Sequence, residues 1–151
     1  MLFRSVETEG VFIACASIHG GTMVAAEKLA EILRSKGVER VVVSDLCRSD
    51  FAENVEDAFR HSKLVVAASS YDAGLFTPMY EFLHRLQIKG FCNRKVAIIE
   101  NGSWAPSAGR VMREMLSAMN GIDIIEPMVT IRSRMKQSDI PALESLASAL
   151  I

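Results

Sequence analysis

Three segments of this 151-residue chain combine hydroxyl, glycine and aromatic residues in patterns suited to holding a ligand. In the first segment, Gly20 and Gly21 allow a tight turn between a predicted strand and a predicted helix. Hydroxyl groups and the N–H groups of the helix start favour a phosphate without any Lys or Arg. An ordinary strand-to-helix turn is the alternative, because Gly, Ser and Thr are common in turns and caps. The candidate phosphate-binding residues are Ser17, Ile18, His19, Gly20, Gly21 and Thr22.

The second segment, residues 68–77, is long for a connection between a strand and a helix and contains Tyr71 and Phe76. Two aromatic side chains in one connection predict a wall for a flat apolar ring, with backbone groups facing the polar edge of that ring. The alternative for Phe76 is packing beneath the helix that follows. The candidate ring-binding residues are Ser69, Ser70, Tyr71, Asp72, Ala73 and Gly74.

The third segment, residues 101–107, contains Trp104, the only tryptophan of the chain. A tryptophan in a turn rich in Gly, Ser and Pro favours stacking on a ligand ring over a place in the core. We therefore expect Trp104 to stack on a ligand ring, in the turn that begins with Asn101, Gly102 and Ser103. Ser107 is expected to cap the helix that follows.

The sequence argues against several other chemistries. The first segment lacks the spacing and the lysine of a Walker loop, and it is not a GxGxxG motif either. The three histidines, His19, His61 and His84, are far apart, and the last two fall on predicted helices. We therefore predict a binding site with no resident metal and no catalytic residues.

Composition narrows the class of protein further. A formal net charge of -1 indicates neither a nucleic-acid partner nor an acidic membrane surface. The sequence contains no run of about 18 apolar residues, so no membrane-spanning helix is predicted. The N-terminus is too polar for a signal peptide. Three scattered cysteines are typical of reduced thiols in a cytoplasmic protein. Residues 1–9 are interpreted as a leader or linker remnant and residues 10–151 as one domain.

The elements that must position these segments alternate regularly along the chain. Continuous apolar runs predict strands at residues 11–16, 41–46, 63–69, 95–100 and 122–131, the last interrupted by Pro127. Amphipathic segments predict helices at residues 21–36, after Ser49 or Asp50, from Pro78, at 107–119 and at 139–151. This rhythm predicts an α/β doubly wound sheet of five parallel strands, order 2-1-3-4-5, with helices on both faces. The three segments then follow strands one, three and four, at the sheet edge where such folds bind ligands.

Together these segments resemble the FMN sites of flavodoxin-like proteins, in particular the C-terminal flavodoxin module of A-type flavoproteins (flavodiiron proteins). The first loop of that module typically reads Thr-Met-Trp-Gly-Ser-Thr, where residues 17–22 read Ser-Ile-His-Gly-Gly-Thr. Its second loop has Ser-Pro-Thr and then Asn-Asn-Gly-Met-Phe-Pro, where residues 68–77 read Ala-Ser-Ser-Tyr-Asp-Ala-Gly-Leu-Phe-Thr. Its third loop has Gly-Ser-Tyr-Gly-Trp, where residues 100–104 read Glu-Asn-Gly-Ser-Trp. The resemblance spans about residues 10–150 and departs at His19, at residues 68–70 and at Gly102.

The resemblance implies FMN as cofactor, with its phosphate on the first segment. It also implies that the second segment borders the isoalloxazine ring through Ser69, Tyr71, Asp72, Ala73 and Gly74, and that the third closes its other side through Asn101, Gly102, Ser103 and Trp104. It implies an electron carrier and not a complete enzyme, because the diiron domain and its HxExD signature are absent from this sequence. The redox partner would be a diiron domain or a rubredoxin-like donor. A-type flavoproteins are usually dimers, which makes a homodimer one of the oligomeric states open to this chain. Since the three segments carry no Lys or Arg, we also expect a negative flavin potential.

Three other classes of protein share this predicted topology. The sequence does not fit a response-regulator receiver. Such a receiver needs acidic residues after strand one, where this chain has Cys15 and Ala16, and it needs a lysine after strand four, which is absent here. An interaction domain that has lost FMN stays open, and so does an NAD(P)H-dependent FMN or quinone reductase, although the latter usually has an arginine in the phosphate loop. Arg132, Arg134 and Lys136 form a basic cluster that is either a solvated face or a docking point for an acidic partner.

Overall fold

The computed structural model describes residues 6–18, 20–71, 74–102, 107–126 and 128–151, with Tyr71 described by its backbone only. Strands and helices alternate, as the apolar and amphipathic segments predict. The elements are β1 (Thr8–Ala16), α1 (Gly21–Ser35), β2 (Val41–Asp45), α2 (Phe51–Arg60), β3 (His61–Tyr71), β4 (Gly74–Leu75), α3 (Thr77–Ile88), β5 (Arg94–Asn101), α4 (Ala108–Ser117), β6 (Ile122–Ile124), β7 (Val129–Ile131), a 3-10 helix (Gln137–Asp139) and α5 (Ile140–Leu150).

The sheet follows the order β2-β1-β3-β5-β6, and all of these neighbours are parallel. The predicted fifth strand is divided into β6 and β7, which pair with the beginning and the end of β5. Pro127, between them, lies outside the described residues. Because a proline has no N–H to donate to a neighbouring strand, its presence in the sequence is consistent with an interrupted strand. Counted with β6 and β7 as one strand, the order confirms the predicted doubly wound sheet. The short β4 is an addition that pairs antiparallel with the end of β3.

Two apolar layers cover the two faces of the sheet. Along β1, alternate side chains point to opposite faces, so that Ile13 faces the layer with α1 and α5 while Phe12 faces the layer with α2, α3 and α4. Both side chains are fully buried. The prediction of helices on both faces is thus confirmed, and it explains why the central strands are apolar throughout.

The starts of α2 and α3 agree with the expected signals, whereas the predicted element of His61 does not. The carboxylate of Asp50 accepts a hydrogen bond from the Ala52 N–H at 3.0 Å and caps α2. Pro78 lies in the first turn of α3, as predicted. The expectation that His61 lies on a helix is wrong: α2 ends at Arg60, and His61 is the buried first residue of β3. β1 begins at Thr8, two residues before the predicted domain start.

Within the described ranges, no helix has both the length and the apolar character needed to cross a bilayer. The same residues contain no cluster of three or more His, Cys, Asp or Glu side chains placed to hold a metal ion.

Candidate ligand-binding cleft

A cleft of about 280 Å³ lies at the carboxyl ends of β1, β3 and β5. Because parallel strands end at the same edge of a sheet, the loops that follow them meet there. All lining residues except one belong to the predicted set, and none carries a charged side chain. The lining residues are Ser17, Ile18, Gly21, Ser69, Ser70, Asn101, Gly102 and the unpredicted Ser133.

The start of α1 forms one end of this cleft. Gly20 has a φ of 86°, a left-handed conformation that glycine adopts without strain. Its N–H donates to the hydroxyl oxygen of Ser17 at 2.8 Å, which closes the turn. Among the described residues no side chain caps α1, so its first turn keeps N–H groups and a positive dipole end open toward the cleft.

Thr22 serves the cleft indirectly. Its side chain is completely buried, and its hydroxyl lies 3.1 Å from the hydroxyl of Ser69, which is also buried. This bond joins the first turn of α1 to the end of β3. Thr22 does not line the cleft, and it acts by fixing Ser69, which does.

The second and third predicted segments are joined by Ser70 and Ser107. The hydroxyl oxygen of Ser70 accepts hydrogen bonds from the N–H groups of Ser107 at 2.9 Å and Ala108 at 3.0 Å. Ser107 donates its own hydroxyl to the carbonyl oxygen of Gly74 at 2.9 Å. Ser107 occupies the N-cap position of α4, as predicted, but its hydroxyl does not cap the helix, because Ser70 supplies the acceptor across the sheet edge.

Glu100 is a second residue that holds the start of α4. Its buried carboxylate accepts one hydrogen bond from the Gly109 N–H at 2.9 Å and one from the Thr130 hydroxyl at 2.7 Å. At Gly109, a Cβ atom would lie 2.8 Å from Glu100 Oε1, so a side chain there would force the Glu100 carboxylate to shift. The start of α4 is thus already occupied by acceptors, unlike the start of α1.

Ser133 is the lining residue that the sequence analysis missed. Its backbone pairs with the Asn101 side chain: Asn101 Nδ2 donates to the Ser133 carbonyl, and the Ser133 N–H donates to Asn101 Oδ1, both at 2.9 Å. Ser133 has a φ of 65°, which is uncommon for a residue with a side chain. A Cβ atom at Gly21 would overlap with the Ser133 carbonyl oxygen. Close packing against Ser133 therefore requires glycine at position 21, independently of the predicted role of Gly21 in a phosphate loop.

The turn around Ser133 adds cations that the three segments lack. Arg132 and Arg134 flank Ser133, and both are exposed. Lys136 donates from Nζ to the carbonyl oxygens of Arg132 at 3.1 Å and Arg134 at 3.2 Å, which holds the turn together. No motif in the sequence connects residues 132–134 with residues 17–21, so only the tertiary structure reveals that they share one edge.

A larger cleft of about 700 Å³ lies on the other side of the first loop. It shares Ser17 and Ile18 with the first cleft and also contains Phe76. Phe76 is partly buried and also packs against the core layer under α2 and α3, so the alternative proposed for it from sequence holds in part. The remaining lining residues are Gly20, Met23, Asp45, Cys47 and Arg48.

Several predicted ligand residues cannot be placed. The predicted residues His19, Asp72, Ala73, Ser103 and Trp104 lie outside the described residues, as does the side chain of Tyr71. Gly74 is part of β4, where its carbonyl accepts the bond from Ser107. The described part of the cleft therefore contains residues of the predicted phosphate segment and the first residues of the other two segments.

No protein-family model matches the sequence, and no curated protein matches it either. Solved structures do. A rubredoxin oxygen:oxidoreductase from Desulfovibrio gigas superposes with a TM-score of 0.89 at 19% identity, over 96% of this chain and 36% of that one. The flavodiiron protein of Giardia intestinalis gives 0.87 at 14% identity, over 99% of this chain and 36% of that one. A flavodoxin of Streptococcus pneumoniae gives 0.79 at 22% identity, over 95% of this chain and 97% of that one.

The chain has a flavodoxin-like fold. The likeness to flavodoxins and to part of the flavodiiron proteins, expected from the three segments, is confirmed at the level of the fold. The chain spans little more than a third of the length of the rubredoxin oxygen:oxidoreductase and the Giardia protein, and nearly the full length of the flavodoxin.

Proposed function

We propose that this flavodoxin-like chain binds FMN and transfers electrons. The observation that carries the proposal is an uncharged, hydroxyl-lined cleft on the uncapped start of α1, at the carboxyl edge of the sheet. In open α/β sheets this edge is where ligands bind. The cleft lies where the sequence had placed the phosphate of the cofactor.

The donor set at this end fits a phosphate. Ser17 accepts from the Gly20 N–H, so its own hydroxyl hydrogen is free to donate to an anion. The open N–H groups of α1 add a positive dipole end, and no carboxylate lines the cleft. Such a site holds a dianion through neutral donors alone.

The ring end of the site depends on residues 71–73 and 103–104. The described cleft is at the lower limit of the roughly 300–1,000 Å³ typical of ligand pockets, and the larger cleft that shares Ser17 and Ile18 adjoins it. Bound FMN would supply the redox chemistry, while the protein binds and orients it. The bonds of Ser70 and Ser107 keep the two ring-side segments at a fixed separation.

The comparison with longer proteins suggests two settings for this activity. The chain acts as a separate carrier, like a flavodoxin, or as one module beside a diiron domain. In the first setting a rubredoxin-like protein is a suitable donor, and in the second the diiron domain is the acceptor. A homodimer and a cytoplasmic location remain predictions.

A second candidate function is a cofactor-free interaction domain. It is favoured by the way the cleft satisfies its own groups: Thr22 pairs with Ser69, and Ser70 accepts from two N–H groups of the third segment. These hydroxyl groups therefore need no ligand as a hydrogen-bond partner.

An absorbance spectrum of the purified protein, followed by titration of the apo form with FMN and riboflavin, distinguishes the two candidates. Flavin bands near roughly 450 nm and much tighter binding of FMN than of riboflavin support the proposal, because only FMN carries the phosphate that α1 would hold. Absence of binding for both flavins would overturn it and favour the interaction domain.

A further inference from the structure

Two exposed arginines, Arg132 and Arg134, flank Ser133, which lines the cleft. In the part of the chain that the structure describes, neither Arg132 nor Arg134 forms an ion pair with a carboxylate. Most surface cations gain little from a partner, so an unpaired pair of arginines is not by itself informative. Its position is what matters.

Several hydrogen bonds fix the backbone of the turn that carries these two arginines. The Asn101 side chain holds the Ser133 backbone at the end of β5, and Lys136 bonds to the carbonyl oxygens on both sides of Ser133. The left-handed conformation of Ser133 is a further cost that the fold accepts to keep this turn. Arg132 and Arg134 are therefore carried on a hydrogen-bonded turn whose central residue, Ser133, lines the cleft.

A third arginine stands on the opposite side of the first loop. Arg48 lines the larger cleft, and its side chain is 88% exposed. Its only ion pair among the described residues is with Asp45, at 3.7 Å. We call Arg48, Arg132 and Arg134 the cationic rim.

We propose that the cationic rim docks the acidic surface of a protein electron-transfer partner over the cleft. This inference rests on the proposed function, since it requires a redox group that exchanges electrons at this edge. Charge complementarity around a redox site accelerates encounter and orients the partner, with an effect that salt reduces. Three cations on a chain of net charge -1 fit a small acidic protein surface better than the many phosphates of a nucleic acid.

Two electron acceptors of opposite surface charge test the proposal: an acidic plant plastocyanin and basic mitochondrial cytochrome c. The FMN-loaded protein is reduced anaerobically to the hydroquinone. Stopped-flow spectroscopy then follows its oxidation. One hydroquinone gives one electron to each of two Cu(II) or Fe(III) centres and releases its protons to the solvent.

We expect the rate constant with plastocyanin to fall about tenfold between low and high salt, and to fall about tenfold at low salt in the R132E/R134E variant. The same variant should react faster with cytochrome c. The matched control is K36E/K89E, which makes the same change in net charge at the opposite edge of the sheet, where α1 and α3 end. It should change the plastocyanin rate less than about twofold.

Equal rates for the wild type and R132E/R134E would overturn the proposal, and so would an equal loss in K36E/K89E, which would indicate a net-charge effect. A second measurement does not depend on flavin. Isotope-labelled protein is titrated with plastocyanin and with single-stranded DNA and followed by NMR. Plastocyanin-induced shifts centred on Arg48 and residues 131–136 support the docking surface even if FMN binding fails. Shifts elsewhere, no shifts, or tighter binding of DNA at the same residues would overturn it.

Discussion

Single hydroxyl groups at the cleft differ in what they can still do. Ser17 has a free hydroxyl hydrogen beside the open start of α1, whereas Thr22 and Ser70 are committed to bonds within the protein. At the residue scale, Ser17 is therefore the described side chain on which phosphate binding depends most directly. Thr22 and Ser70 act as positioning residues.

A Ser17→Ala substitution is expected to weaken FMN binding by about tenfold, because a hydrogen bond to a charged group contributes about 1.5–3 kcal/mol. Riboflavin binding should stay within a factor of about two, since riboflavin has no phosphate. Fluorescence titration of both flavins measures this difference. Ser35→Ala is the matched control, because Ser35 lies at the other end of α1, where its hydroxyl bonds to the Ile32 carbonyl. An equal loss of affinity for both flavins would mean that Ser17 supports the loop only.

At the scale of elements, α4 and α1 begin in opposite ways. The start of α4 receives acceptors from β3 and β5, through Ser70 and Glu100, and the start of α1 receives none from the described residues. The capped helix fixes the third segment, and the uncapped helix stays open for an anion. This difference assigns a structural role to one helix start and a binding role to the other.

Replacement of Glu100 tests the structural role. In Glu100→Ala, the Gly109 N–H and the Thr130 hydroxyl both lose their acceptor, and we expect the free energy of unfolding to fall by about 3 kcal/mol. Glu100→Gln keeps an acceptor oxygen and should lose about 1 kcal/mol. Urea unfolding measures both. Glu114→Ala, which removes only an exposed pair with Arg110, should change stability by less than about 0.5 kcal/mol. A loss from Glu100→Ala as small as that of the control would contradict the assigned role.

At the scale of the whole molecule, the two apolar layers and the central strands set the stability. Cys15 belongs to the layer under α1 and α5, at the end of β1 that leads into the cleft. Its thiol is free, and burial, with a further contribution from the Asp45 carboxylate, raises its pKa from 9.0 to about 12. The thiol therefore stays protonated in the folded protein at neutral pH, which makes it a structural group.

This shift predicts a loss of stability in alkali. Below pH 9 the thiol is protonated in both states, and its contribution is complete. Between pH 9 and about 12 the unfolded chain releases the proton while the folded protein keeps it, so the free energy of unfolding falls as pH rises. Near pH 10.5 the loss should reach about 2 kcal/mol, at about 1.4 kcal/mol per pH unit.

Urea unfolding of the wild type and of Cys15→Ala at pH 8 and pH 10.5 measures this contribution. The difference between the two proteins isolates the thiol from the other groups that titrate in alkali. We expect the wild type to lose about 2 kcal/mol more than the variant over this interval. Equal losses would show that Cys15 does not sense the alkaline transition.

Local sequence patterns are enough to predict the architecture and the sheet edge at which the described cleft lies. Apolar runs such as residues 63–69 predict strands buried on both faces, and their alternation with helices leaves a doubly wound sheet as the solution. The described parts of the three segments, such as Ser17, Ser69 and Asn101, line one cleft because parallel strands end at one edge. Local signals also placed helix starts at Asp50 and Pro78, since capping and proline geometry depend on neighbours along the chain.

The remaining contacts of the cleft join residues that are far apart in the chain, and they become visible only in the tertiary structure. Asn101 and Ser133 are 32 residues apart, Thr22 and Ser69 are 47 apart, and no local pattern encodes either pair. It also assigned the cap of α4 to Ser70 and not to Ser107, and brought Arg132 and Arg134 to the cleft. Long-range hydrogen bonds depend on the exact register and loop path of distant elements, whereas the sequence specifies directly only the periods of its elements and the turns between them.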